Sequence, residues 1–343
     1  MSSLPRIPGQ PVSAVRTRKR AVASAVLFAA WLLCSADQLP VNPEAAAQAK
    51  YTCQAFADKA AKAQAAMALS VKTSDKNALA CTADLRFEVA SGSHDRGAYL
   101  AALSAVLRYI DHVHSLKYFD LGHTNWPEYV LRLQHAAALG AKLQADVRAN
   151  WPDDPELTIL SGGIEQSLAG PDDPQRTMSA VERMSAAVNR KPGALGGLGE
   201  LLIGKSYLEV PPIFGGAVDK AVPYLERAHR ASPNDPRALR YLAEAYDQLG
   251  ERDQAGRMLV ALSSLPAQDS DLQTSADEWR MGEGLASRMH DKALAQKFVA
   301  RRTALMDSHP ELLVRKIETV LGHGGDDPMT GRPQYNSEPA NSH

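Results

Sequence analysis

The chain has 343 residues, 45% of them hydrophobic and 22% charged, which is ample material for a core. Its formal net charge is −1, so the basic excess expected of a nucleic-acid or membrane-surface binder is missing. Alanine and leucine abound while isoleucine, threonine and phenylalanine are few, which favours helix over sheet.

Residues 1–49 read as a leader. Arg16, Arg18, Lys19 and Arg20 form a basic start, followed by an apolar run from Ala21 to Ala36. That run is shorter than the roughly 20 residues a spanning helix needs. Cleavage sites follow Ala36 and Ala49, the second slightly preferred; the alternative is an uncleaved anchor. Cys34 follows Leu32-Leu33, not the small residue that lipid attachment favours. The expected localisation is periplasmic or secreted. Beyond the leader only Cys53 and Cys81 remain, and an even pair in an oxidising compartment suggests a disulfide; two buried free thiols are the other reading.

Residues 50–150 form an N-terminal helical region. An alanine-rich helix is expected over 50–70, and loops at Thr73–Asn77 and Ser91–Gly97. Leu103, Val106, Leu107 and Ile110 restore a helical period. A break near Gly122–Pro127 separates this helix from the next, with Pro127 in its first turn.

From 151 to 310 the pattern is repetitive. The strings Pro152–Pro155 and Pro171–Pro174 can each end one helix and cap the next. Gly193–Gly199 is glycine-rich but lacks the Gly-Lys-Ser/Thr ending of a phosphate loop, so a repeat junction is the better reading. One unit is then written twice. Ile203-Gly204-Lys205-Ser206-Tyr207, Gly216, Ala221, Leu225, Ala228 and Pro233 align with Leu242-Ala243-Glu244-Ala245-Tyr246, Gly250, Ala255, Leu259, Leu262 and Pro266. The last positions share an offset of about 34 residues, the size of a helix–turn–helix unit. A worn copy follows with Trp279, Asp291-Lys292-Ala293, Phe298 and Leu305. Residues 311–321 are expected to cap the stack, and 322–343 to be a disordered tail.

These two units resemble the tetratricopeptide (TPR) family at nearly every signature position. The fold expected is all-α: a TPR-like helical-hairpin solenoid with degenerate repeats and extended turns. In such stacks the first helix of each pair lines a concave face. The resemblance implies Leu198, Leu201, Lys205 and Leu208 there in one unit, and Arg237, Arg240, Glu244 and Asp247 in the next. A protein or peptide partner is expected in that face, with Lys205, Arg237 and Arg240 as carboxylate contacts.

The first unit departs from the pattern by extra residues, Val210-Pro211-Pro212-Ile213-Phe214. Two prolines cannot continue a helix interior, so they should throw out a stiff apolar bulge. It either caps the neighbouring repeat or contacts a partner. The turn Pro211–Gly216 before Asp219-Lys220-Ala221 also resembles the T-component of tripartite (TRAP) transporters. That likeness implies an accessory subunit binding a small ligand and a solute-binding protein.

No catalytic constellation is visible. There is no Gly-x-Ser-x-Gly, and His112 and His114, two apart on a helix, do not share a face for a metal with Asp120 and His123. His323 to Asp327 lacks calcium-loop spacing. A non-enzymatic protein without cofactor or metal is expected.

Overall fold

The computed structural model describes residues 76–119, 126–170, 173–268 and 271–309. The leader, Cys53, the helix expected over 50–70, Asp120, His123, the 311–321 helix and the tail lie outside these residues. Among the described residues all regular structure is helical. The helices are α1 (Lys76–Ser93), α2 (Arg96–Phe119), α3 (Trp126–Asn150), α4 (Pro155–Ala169), α5 (Pro174–Arg190) and α6 (Ala194–Glu209). A 3-10 turn (Pro212–Phe214) precedes α7 (Val218–Ala231), α8 (Pro236–Gln248), α9 (Arg252–Leu262), α10 (Leu272–Arg288) and α11 (Lys292–Ser308).

The starts of these helices are chemically marked. Asp154, Asp173, Asp235, Asp271 and Asp291 each accept a hydrogen bond from a backbone N–H of the following first turn. Proline follows three of these caps, where its missing N–H costs nothing. The loop expected over Ser91–Gly97 is shorter than its polar composition suggested. His94 turns left-handed at φ 51°, and Asp95 caps the new helix through the Ala98 N–H at 2.9 Å.

Five helical hairpins follow α1: α2–α3, α4–α5, α6–α7, α8–α9 and α10–α11. The first member of each pair packs on the first member of the next, so α2, α4, α6, α8 and α10 form one continuous wall. The second members form the outer layer.

Within a hairpin the two helices meet through a small residue facing a large one. A Cβ on Gly162 would lie 2.4 Å from the Met184 side chain, and one on Gly204 2.6 Å from Leu225. Gly282 meets Phe298 at 2.8 Å in the same way. The second aligned unit carries Ala243 where the first has Gly204, and Leu259 where it has Leu225; both are fully buried. The repeat is thus kept as a steric rule even where its letters have changed. Three merging cores result: one spanning α1 to α6, one spanning α6 to α9, and one spanning α8 to α11.

The glycine-rich junction has a specific job. Leu195, Gly196 and Gly197 are all left-handed, with φ of 53°, 66° and 79°. This turn re-aims α6 against α7, and a Cβ on Gly197 would come within 3.0 Å of the Ala228 backbone. Glu200, buried to 1% exposure, secures it by accepting the Gly193 N–H at 2.7 Å.

Among the described residues no helix is long and apolar enough to cross a membrane.

Candidate functional site: the concave wall

The wall of first helices carries most of the buried charge in the C-terminal half. Arg240 on α8 is its centre. Its Nε donates to Glu278 of α10 at 2.8 Å, and its Nη1 to Glu244 at 2.9 Å. Its guanidinium carbon also lies 3.3 Å from the Tyr241 ring centroid. Arg240 and Glu244 are buried to 8% and 7% exposure, so this is an interior ion triad, not a solvated surface pair.

The other cations expected to bind a partner are also engaged within the chain. Arg237 makes a forked contact with Asp235, its Nη2 at 2.7 Å from Oδ2. That carboxylate also caps α8, so one residue both starts the helix and holds the guanidinium. Lys205 sits 3.9 Å from Glu209, one helical turn on, and the carboxylate raises its pKa. Asp247 lies 4.0 Å from Arg288. Leu208 is half-buried against the core that spans α6 to α9, whereas Leu201 lies within that core.

The wall extends further than the two aligned repeats. Arg108 of α2 reaches Asp271 at the start of α10, at 3.5 Å. Asp111, also on α2, is close enough to Lys205 and Arg237 to raise the pKa of both. The charged side chains of α2, α6, α8 and α10 therefore surround one interior, with Arg108–Asp271 bridging its first and last helices. Glu278, Tyr241, Asp277 and Asp111 were not singled out in the sequence. A residue that matters here only because it lies opposite another helix leaves no local signature.

Burial shapes the chemistry of this interior. Removal from water pushes the Asp277 carboxyl well above the usual carboxylate range, and neighbouring Glu278 and Asp271 push it further. Its hydrogen-bond donor is neutral: Gln273 Nε2 at 2.8 Å. Burial likewise raises Glu244, and it pushes the Tyr241 hydroxyl to about 12. His112 is pushed the other way by burial, towards the neutral imidazole.

A folded pKa raised above the unfolded value means that the folded state holds its proton to higher pH. Asp277 therefore withdraws stability as pH rises from the unfolded aspartate range, near about 3.9, through its folded value. Asp277→Asn keeps an acceptor for Gln273 but carries no charge. It is expected to stabilise the protein by about 1 kcal/mol at pH 7. The gain should vanish below about pH 4, where both proteins are neutral at this position. Thermal melts at the two pH values measure it.

The histidines read as a weak metal candidate are accounted for structurally. His114 Nε2 lies 2.7 Å from the Ser167 carbonyl, which can only accept, so that nitrogen carries a proton; Nδ1 faces the Tyr129 hydroxyl at 2.9 Å. His112 is buried. Among the described residues no group of three or more His, Cys, Asp or Glu is placed to hold a metal ion. Cys81 is buried on α1.

The proline bulge is a separate feature. Phe214 N–H donates to the Pro211 carbonyl at 2.9 Å and Ala217 N–H to the Tyr207 carbonyl at 2.9 Å, which closes the excursion at its base. Gly215 rests near Met178 of α5. Ile213 is nevertheless 75% exposed and Phe214 39% exposed. A shallow recess of about 370 Å³ lies elsewhere, between Leu133, Ala137 and Ala141 of α3 and Leu168 and Arg176 of the next hairpin.

Comparison with known proteins agrees with the stacked hairpins. The tetratricopeptide repeat family model matches residues 215–275, covering α7, α8, α9 and the first turn of α10. No curated protein and no solved structure matches the chain. The hairpins and this match together define a TPR-like repeat protein.

Proposed function

We propose that this protein is an exported, non-enzymatic scaffold that holds a protein or peptide partner against its concave wall. The observation carrying this reading is the wall itself, built by five first helices, four of which (α2, α6, α8 and α10) carry charged groups around one interior. TPR repeats commonly mediate protein binding. Lys205, Leu208, Arg237, Arg240, Glu244 and Asp247 are the wall positions assigned to the partner. The bulge Pro211, Pro212, Ile213 and Phe214 is a second contact, supported by the exposure of Ile213 and Phe214. Export and a Cys53–Cys81 disulfide belong to the same proposal, supported by the basic-then-apolar leader and the even cysteine count.

The accessory-subunit reading, with a small ligand in a pore and a solute-binding protein as partner, rests on the Pro211–Gly216 turn and on the Arg108–Asp271 bridge across the interior. The charged lining favours the scaffold over that reading, because a pore for an apolar solute would not be walled by carboxylates.

The test is affinity capture from the native envelope fraction with the full chain as bait, followed by mass spectrometry. Lys205→Trp/Leu208→Trp plugs the wall at two positions that are not fully buried; Ile213→Asp/Phe214→Ser blunts the bulge. A partner lost with the first variant supports the scaffold. One solute-binding protein lost only with the second supports the accessory subunit. A partner retained by both variants overturns the two sites. The intact mass of the chain from its native source reads the leader cut and the thiol state together.

A further inference from the structure

We propose that the proline bulge of one copy seats in the recess between α3 and α5 of a second copy, so that the chain pairs about a two-fold axis. This rests on the reading of the bulge as a contact and names what it contacts. The bulge has the build of an interface anchor. Ile213 is 75% exposed at its tip, with Phe214 beside it. Pro211 and Pro212 fix their own φ, and the Pro211 carbonyl accepts from both the Phe214 N–H at 2.9 Å and the Gly216 N–H at 3.3 Å. An apolar tip held in this way has little freedom left to lose on binding.

The same chain carries a hollow that suits this tip. Ala137 and Ala141, one turn apart on α3, leave a recess of about 370 Å³ with Leu133 and Leu168, to which Gln134 and Arg176 add polar groups. Apolar lining with a few polar groups is the make-up of an interface core and its rim. The charges beside the two features are opposite. Arg176 and Arg183 share one carboxylate, Glu165, which leaves positive charge at the recess. Next to the bulge, exposed Asp219 opens α7, while Lys220 lies over the Tyr207 ring of its own chain.

Their placement makes the match reciprocal. Met178 of α5 lies under Gly215 of the bulge, 3.5 Å from a Cβ built there, and Arg176, two residues earlier, lines the recess. Residues two apart on a helix do not share a face. Bulge and recess therefore flank the start of α5 on different sides, and a two-fold axis across that helix sets each bulge over the other copy's recess at once. Anchors of this number bury on the order of a few hundred Å² per partner, below the roughly 800 Å² of a stable complex, so the pairing is weak and concentration-dependent.

The direct test is sedimentation equilibrium of the full chain over about 2–200 µM, a range that spans weak pairing. A reversible monomer–dimer equilibrium is expected. Ile213→Asp puts a charge on the tip, and Ala141→Arg obstructs the recess from an exposed position. Each alone should weaken the dimer at least about tenfold. An equimolar mixture of the two should pair again, because one contact is then native and the other sets the new aspartate against the new arginine. A misfolded variant could not be rescued in that way. Val260→Asp, at another exposed apolar position, should leave the dimer unchanged. A chain that stays monomeric, an assembly larger than a dimer, a dimer indifferent to either variant, or a mixture that remains monomeric overturns the inference. The broader readings fail on different results. A monomeric chain whose captured partner is still lost with Ile213→Asp/Phe214→Ser keeps the bulge as a contact for another protein, and the wall is decided by Lys205→Trp/Leu208→Trp alone.

Discussion

Arg240→Ala is expected to destabilise the protein by about 3–5 kcal/mol, the range for breaking a buried ion pair from one side. The cost comes less from the contact removed than from what stays behind. Glu244 and Glu278 would face each other across α8 and α10 without the guanidinium that joins them. Burial already raises the Glu244 carboxyl, so the variant would take up a proton there, and its loss of stability should be smaller in acid than at neutral pH. Arg240→Lys is not a mild change, because one ammonium cannot reproduce two differently directed N–H donors stacked on Tyr241. Replacing all three residues together, as Arg240→Met/Glu244→Leu/Glu278→Leu, should restore most of the stability. Chemical denaturation of the three variants separates these outcomes. A loss below about 1 kcal/mol for Arg240→Ala would show the triad to be solvated.

The second large effect is expected at Gly216→Ala. A Cβ there would sit 1.6 Å from the Val210 carbonyl oxygen and 2.6 Å from its carbon, both backbone atoms that cannot rotate aside. The closure of the proline bulge must open to admit it, including the Gly216 N–H to Pro211 bond at 3.3 Å and the Ala217 N–H to Tyr207 bond at 2.9 Å. A cost of about 3 kcal/mol or more follows from forced backbone displacement and lost hydrogen bonds. New proteolytic cleavage should appear within 210–217. Gly250→Ala is the control. Its φ is +78° but nothing lies within 4 Å of the added atom, so only the left-handed penalty of about 1–2 kcal/mol applies. The two glycines align in the repeat, yet one is required for space and the other for its dihedral angle. In the first unit the left-handed turn residue is Gly215, at φ 104°, and not the aligned Gly216.

The parts of the fold that repeat in one chain could be read from that chain. Alignment of 203–233 with 242–266 captures the hairpins because the same small-against-large contact recurs at each. It misses Gly162 and Gly282, which obey the same rule with different neighbours, because Met184 and Phe298 change the letters while preserving the fit. Asp-Pro caps were legible for a local reason: the carboxylate, the proline and the N–H groups they serve lie within four residues. The wall was legible only in outline. Its positions follow from which helix comes first in each pair, but the pairing of its charges does not. Glu278 meets Arg240 across 38 residues of sequence, and Asp271 meets Arg108 from the far end of the stack. Arg240 therefore looked available to a partner while Glu278, one of the two carboxylates that hold it, lay in a repeat too worn to align.

The Arg108–Asp271 bridge also alters how the stack should come apart. In an ordinary linear array each unit answers only to those beside it, and unravelling can begin at either end and stop part-way. Here an early helix grips the start of the α10–α11 hairpin directly. Arg301 of α11 in turn holds the Ser263 and Leu265 carbonyls where α9 ends, while lying over Trp279. Fraying at the C-terminal hairpin would then be felt at α2 without passing through the units between, so opening becomes a concerted event of the whole stack.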